Sequence, residues 1–232
     1  MTVASWNVLH RVHADNWASE IAGRWPDETD RIAAVTALVA GRAEQVIALQ
    51  EVSGDQLADL RKSLPERTFH TLRYPRVPRP KQVASQLSEG FEALVLIVDG
   101  PSRTLAAEPF DNDPGNGALV VEVAGVRVIA THVTGDSRRN RQFARLAELA
   151  TPGPAVLLGD FNADSSTVAT ALGADFEIAG FAPDGPATRP RTTTSKSQFI
   201  DHVITRGLAV REAAVVPVAG VSDHNLVRAA VG

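Results

Sequence analysis

The sequence predicts an α/β fold in which two mixed β-sheets pack face to face with helices outside, and three observations lead there. First, 232 residues suffice for one large domain, 1–232, with its own core. Second, helical stretches separate the early strands: Arg31 to Ala40 spaces its apolar residues at helical intervals behind the acidic Asp27, Glu28 and Asp30. Third, hairpin signals take over later, as at Ala124-Gly125 between two apolar runs. Such mixed connections fit a purely parallel, doubly wound sheet poorly.

The elements follow in order. Met1-Thr2-Val3-Ala4-Ser5-Trp6 reads as a buried strand from almost the first residue. Val46 to Leu49 is a short apolar strand ending at Gln50-Glu51, and Ser53 suits the N-cap of a helix through Leu57 and Leu60. The Pro- and Arg-rich run Arg73 to Lys81 cannot be helical and reads as an exposed basic loop. Strands are expected at Ala93 to Val98, Ala118 to Val123 and Val126 to His132, then a helix at Asn140 to Ala150. Ala155 to Leu158 is an apolar strand feeding the Gly159-Asp160 turn. Phe199 to Thr205, Val210 to Val218 and Leu226 to Val231 complete a strand-rich C-terminal half.

Composition narrows the chemistry. With no cysteine there is no disulfide framework, no thiolate zinc site and no cysteine nucleophile, so any metal must be held by oxygen and imidazole. The N-terminus has no basic region followed by a long apolar stretch, and no run is long enough to cross a bilayer; a cytoplasmic protein without a membrane partner is the expectation. A net charge of -4 disfavours undirected coating of nucleic acid, although a local basic patch is compatible with it.

Six short segments share one design, an apolar β-rich run ending in polar or acidic residues. They are Ser5-Trp6-Asn7-Val8, Leu49-Gln50-Glu51-Val52, Thr131-His132-Val133, Gly159-Asp160-Phe161-Asn162, Ile200-Asp201-His202 and Ser222-Asp223-His224-Asn225. Strand ends on one rim of a sheet are where catalytic groups converge while the strands hold them rigid. Phosphoester hydrolysis needs carboxylates for a hard cation, a base for water and donors for the phosphoryl oxygens, and these segments supply each.

Taken together, Trp-Asn-Val, Leu-Gln-Glu-Val, Thr-His, Gly-Asp-Phe-Asn, Ile-Asp-His and Ser-Asp-His resemble the endonuclease/exonuclease/phosphatase superfamily, in that family's order, from Ala4 to Ala230. The resemblance implies a four-layer α/β sandwich of two packed mixed sheets flanked by helices, and a Mg2+-dependent phosphoesterase in which Mn2+ can substitute. By motif, Glu51 would ligate the metal, with Asn7 beside it and Asp223 close enough to assist. Asp160 and Asn162 would orient the attacking water and hold the phosphate. His224, steadied by Asp201, would act as general base or as a phosphate contact, and His132 would donate a hydrogen bond from the other side of the scissile phosphate. Glu92 is placed where some members set a glutamate against the Thr-His histidine. Two departures speak against abasic-site repair: Leu9 stands where those enzymes carry an acidic residue, and the only tyrosine, Tyr74, comes too early.

The residues outside the motifs are read as follows. Asp201 and His202 are adjacent in a strand and face opposite ways, so His202 is expected to be structural. Trp6 and Phe161 are expected in the core, and His10, His13 and Trp17 in a surface loop, with lining of a substrate pocket or contact with phosphate as the alternative. Three basic clusters flank the motifs: the Arg73-to-Lys81 loop, Arg138-Arg139-Arg141, and Arg189-Arg191-Lys196. Arg138, Arg139 and Arg191 are the candidates for substrate phosphate. The expected substrate is a phosphodiester in a nucleic acid or nucleotide, with a small phosphorylated metabolite as the rival and no obligate protein partner. A non-catalytic module of the same fold would have a broken set of motif residues, and here the set is intact.

Overall fold

The computed structural model describes residues 1–193 and 195–232. From the N-terminus, β1 (Thr2–Asn7) leads through the short helices α1 (Arg11–Asn16) and α2 (Glu20–Arg24) to α3 (Glu28–Ala40) and β2 (Val46–Ser53). Then come α4 (Gly54–Ser63), β3 (Thr68–Arg73), β4 (Glu92–Val98), β5 (Ser102–Phe110), β6 (Asp113–Val123) and β7 (Val126–His132). The chain ends with α5 (Arg139–Leu149), β8 (Ala155–Asp160), α6 (Ser165–Leu172), β9 (Phe176–Ile178), β10 (Asp201–Arg206), β11 (Val210–Val216) and β12 (Leu226–Val231).

The strands form two six-stranded sheets, ordered β11-β12-β1-β2-β4-β3 and β5-β6-β7-β8-β10-β9. Both have one pattern: a central parallel pair, β1 with β2 and β7 with β8, flanked by antiparallel neighbours. Period-2 alternation along the strands builds the layers. Val3, Ala48, Leu94 and Leu96 of the first sheet face Leu119, Ala130, Leu158 and Val203 of the second across the central core. The intervening Ala4, Ile47, Leu49 and Val95 pack outward on α3 and α4, while Val120, Ile129, Leu157 and Ile204 pack on α5 and α6. This is the α/β four-layer sandwich. Helix starts are fixed by side-chain caps, Asp27 on Thr29 N, Ser53 on Gln56 N and Asp164 on Thr167 N.

Two backbone features shape the rim where these strands end. The β2–β4 ladder shifts register between Leu49 and Val52, and Glu51 within that bulge has φ 59°. A bulge re-aims a side chain, and a left-handed glutamate persists only where its surroundings hold it. At Gly159 a Cβ would lie 2.1 Å from Thr131 O on β7, so only glycine lets the β7 and β8 backbones approach just before Asp160.

The sequence reading missed β3, β5 and β9, all edge strands with half-exposed faces and therefore weak apolar alternation. It also missed α1, α2 and the Ser/Thr-rich α6. The expected basic loop is corrected at its start: Arg73 ends β3, and Tyr74 is 1% exposed. No helix among the described residues is long and apolar enough to cross a membrane.

Candidate active site

Strand direction brings the motif residues to one rim. The parallel β1 and β2 end there with Asn7 and Glu51, β7 and β8 end there with His132 and Asp160, and the antiparallel β10 and β12 begin there. Cross-strand register puts His132 and Asp201 level with Asp160 on either side. Asp223 and His224 hang in the loop before β12. That loop is pinned by Ser222 Oγ donating to Asn7 O (2.7 Å), Trp6 Nε1 to His224 O (3.0 Å) and Asn225 Nδ2 to Ala187 O (2.8 Å).

Asn7 joins the two sheets. Its Nδ2 donates to Glu51 Oε1 at 2.9 Å and to Asp160 Oδ2 at 3.2 Å, while its Oδ1 accepts Leu9 N–H at 3.0 Å. Glu51 Oε2 also accepts His10 N–H at 3.0 Å. Burial would push the Glu51 carboxyl up, but His13, His132 and these two donors outweigh it and hold the pKa down to about 2. Asp160 is driven the other way, raised by burial and the Asp201 charge against the opposing His224, His132 and Asn162 N–H. The Asn162 N–H meets Asp160 Oδ1 at 2.9 Å, and its side chain donates to Val133 O at 2.9 Å, from a backbone at φ 47° that asparagine tolerates.

Asp160 Oδ2 lies 3.7 Å from both His132 Nε2 and His224 Nε2. The other nitrogen of His224, Nδ1, sits 3.0 and 2.9 Å from the Asp201 oxygens. Burial lowers the His224 pKa, but Asp201 and Asp160 more than offset it and raise the ring to about 10. His202 turns away, its Nε2 2.8 Å from Ala163 O, and Trp6 and Phe161 are fully buried.

These groups line a cleft of about 260 Å³. That is just below the usual range for ligand sites, about 300–1,000 Å³. Its walls carry Glu51, His132, Asp160, Asn162, Asp223 and His224 together with His13, Trp17, Arg76, Glu92 and Arg189.

Several sequence expectations change here. The His10-to-Trp17 segment is not a surface loop: His10 caps α1 with its Nδ1 on Val12 N–H, and His13 and Trp17 face the cleft. Glu92 pairs with His13 Nε2 at 3.0 Å and not with His132, whose buried Nδ1 has no partner among the described residues. Burial opposes the His13 charge, yet Glu92 and Glu51 raise its pKa to about 9. Arg138, Arg139 and Arg191 do not line the cleft. Arg138 is held by Asp136 (2.8 Å) and Asp113 (3.2 Å), Arg139 donates to Asn162 O (3.0 Å) behind the site, and Arg191 is exposed. The guanidinium groups that reach the cleft are Arg76 and Arg189, from two of the same clusters. Arg189 Nη2 binds Asp223 Oδ2 at 2.7 Å.

The donor set fits a hard divalent cation. Glu51 stays ionised while buried, and the buried Asp223 Oδ1 has no hydrogen-bond partner among the described residues, an oxygen suited to a ligand. Asp160, Asp201 and His224 also bring possible ligand atoms within 4.8 Å of one another. In that trio, however, Asp201 is engaged by His224 and a protonated His224 has no lone pair for a metal, so Glu51 and Asp223 suit a cation better.

Two facing sheets of one pairing pattern, with carboxylates and imidazoles gathered where both sheets end, define a phosphoester-hydrolase architecture. The chain belongs to the Endonuclease/Exonuclease/phosphatase family, whose model matches residues 4–224. Among solved structures, it is similar to D. rerio TDP2 complexed with single strand DNA product, with TM-score 0.72 and 15% identity over 100% of this chain and 98% of that one. A Bacteroides vulgatus endonuclease/exonuclease/phosphatase matches at TM-score 0.70 and 19% identity, covering 100% and 98%. The Bacteroides thetaiotaomicron mannosyl-6-phosphatase matches at TM-score 0.70 and 16% identity, covering 100% and 99%. No curated protein sequence matches the chain.

Proposed function

We propose that this chain hydrolyses phosphodiester bonds of a nucleic acid or nucleotide by in-line attack of water, with Mg2+ as the natural cation and Mn2+ as a substitute. The observation that carries this reading is the convergence of Glu51, His132, Asp160, Asn162, Asp223 and His224 on one cleft. Glu51 and Asp223 would hold the cation, and Asn7 fixes the Glu51 carboxylate with a hydrogen bond from its side-chain amide. When bound, a divalent cation polarises the phosphoryl group and offsets charge on the leaving oxygen.

The remaining steps belong to the chain. Asp160, its pKa raised and its Oδ1 fixed by Asn162 N–H, takes the proton of the attacking water. His224, between Asp201 and Asp160, is an imidazolium at neutral pH, so it donates to a phosphoryl oxygen instead of accepting a proton. His132 and the Asn162 amide contact the phosphate from the opposite wall, and Arg189 adds positive charge beside Asp223.

Both DNA and a phosphorylated sugar appear among the substrates or products that the names of similar folds carry, so substrate class is the point to test. A panel of oligonucleotides, nucleotides and sugar phosphates in Mg2+ and Mn2+ should give metal-dependent cleavage of the diesters. Asp160→Ala should lower turnover on the order of 10²–10⁴-fold without changing the melting profile. Wild-type rates in Asp160→Ala would overturn the mechanism, and turnover of sugar monophosphates alone would identify a phosphomonoesterase instead.

A further inference from the structure

Rings stack outward from beneath the cleft to its rim. His10 and His13 have centroids 5.5 Å apart with planes tilted by 58°, and His13 and Trp17 lie nearly parallel, 12° apart, with centroids at 5.0 Å. His13 is held in place because its Nε2 lies 3.0 Å from Glu92. The Trp17 N–H donates to His13 O at 3.0 Å, which closes α1 and fixes the base of the indole. The ladder ends there. Trp17 lines the cleft beside Glu51 and His132, yet it is 60% exposed, the most open large hydrophobic among the described residues. One indole face is covered by His13, so the exposed surface is the other face and its edges.

The neighbourhood specifies what would cover that face. Asn16, directly before Trp17, donates through Nδ2 to Arg79 O (3.0 Å) and accepts Lys81 N–H through Oδ1 (2.8 Å). Two hydrogen bonds therefore tie the exposed basic segment to the end of α1, beside the indole, and Arg76 of the same segment lines the cleft. A flat ring carrying further phosphates satisfies both features. A sugar phosphate would use the indole but would not extend to the exposed Arg79 and Lys81 beside it, whereas Arg76 is already paired with Asp113 at 3.4 Å.

We propose that Trp17 is the stacking platform for a nucleobase adjacent to the scissile phosphate, which makes the substrate a nucleic-acid strand. This inference rests on the phosphodiesterase reading and names the substrate class within it. Because every base has a π-face, Trp17 tolerates any sequence, and since the base does not react, the contribution falls on KM more than on kcat.

The test uses two single-stranded DNA oligonucleotides of equal length, one fully based and one abasic at the residues flanking the scissile phosphate. Each is cleaved by the wild type, Trp17→Ala and Trp17→Phe at fixed Mg2+. Trp17→Ala should raise KM for the based strand on the order of 10-fold and move the abasic strand much less, with Trp17→Phe recovering most of the loss. Without turnover, titrating a phosphorothioate oligonucleotide should quench indole fluorescence in the wild type and not in Trp17→Phe, which still contains Trp6 and Trp25. Equal KM values for both strands in the wild type, or equal effects of Trp17→Ala on both, would overturn the role of Trp17 while leaving phosphodiester hydrolysis intact. Failure of the wild type to cut either strand, with turnover of sugar phosphates, would overturn the phosphodiesterase reading itself.

Discussion

His224 is a buried ring between two carboxylates, with Nδ1 on Asp201 and Nε2 3.7 Å from Asp160 Oδ2. Burial opposes its charge, and the carboxylates reverse that and lift its pKa to about 10 from the ordinary histidine value of about 6.5. A raised folded pKa contributes stability that is fully present below about pH 6.5 and is lost as pH rises through about 10. Asp201→Asn removes the larger of the favourable charges. In metal-free protein, denaturant titrations should therefore show the variant less stable than wild type at pH 6, with the gap closing towards pH 10. Turnover should fall while substrate KM changes little, because Asp201 positions His224 and does not touch substrate. An unchanged gap from pH 6 to pH 10 would count against the pairing as the cause. This pair was legible in the sequence because each partner sits in a motif of its own. The His13–Glu92 pair was not, since it forms only when α1 folds over the start of β4. In the basic clusters, residue type alone does not tell which arginine is engaged: Arg189 lines the cleft beside Asp223, whereas Arg191, two residues on, is exposed.

At the scale of the element, α3 does more than cover the first sheet. Its Arg31 is 3% exposed, binds both oxygens of Glu28 at 2.8 and 2.6 Å, and donates to Val8 O, Leu9 O and Val221 O at 2.8, 2.7 and 3.0 Å. One guanidinium thus fastens the chain leaving β1 to the chain approaching β12, the two segments that carry Asn7 and His224. Periodicity located this helix, and Glu28 was read as an acidic first turn. Nothing in the pattern marked Arg31 as buried, because a guanidinium on the inner face contradicts the apolar repeat and is stabilised only by partners distant in sequence. Arg31→Met leaves three carbonyls without a donor and Glu28 with only the longer contact to Arg11 at 3.6 Å. A cost of about 3 kcal/mol in urea denaturation is expected from breaking such a buried pair, and turnover should fall by up to about 10²-fold if the rim loops shift by an ångström. Adding Glu28→Gln should recover part of the stability. A double variant no more stable than the single one would mean the cost lies in the carbonyls and not in the orphaned carboxylate.

Across the whole molecule, the rim joins the two sheets through polar groups: Asn7 reaches from the first sheet to Asp160 of the second, and Asp201 of the second reaches His224. The same rim concentrates Glu51, Glu92, Asp160, Asp201 and Asp223, in a protein whose net charge is already -4. His13, His224, Arg76 and Arg189 offset most of this charge, but burial and the Asp201 charge still raise the Asp160 pKa, so an ionised Asp160 carries a cost in the metal-free fold. A divalent cation binding the folded rim, and not the unfolded chain, removes that cost and adds stability by mass action, about 2.7 kcal/mol at 100 times Kd. For a chain of this size the midpoint should rise by about 5–10 °C. Thermal melts in Mg2+ should show this rise, and EDTA should reverse it. NaCl at matched ionic strength should not reproduce it, because screening acts on all charges whereas the cation acts at one site. Glu51→Gln should abolish the Mg2+ increment, and Arg138→Ala, outside the cleft, should retain it. An increment that survives Glu51→Gln would place the cation elsewhere on the rim, and one matched by NaCl would reduce it to general screening.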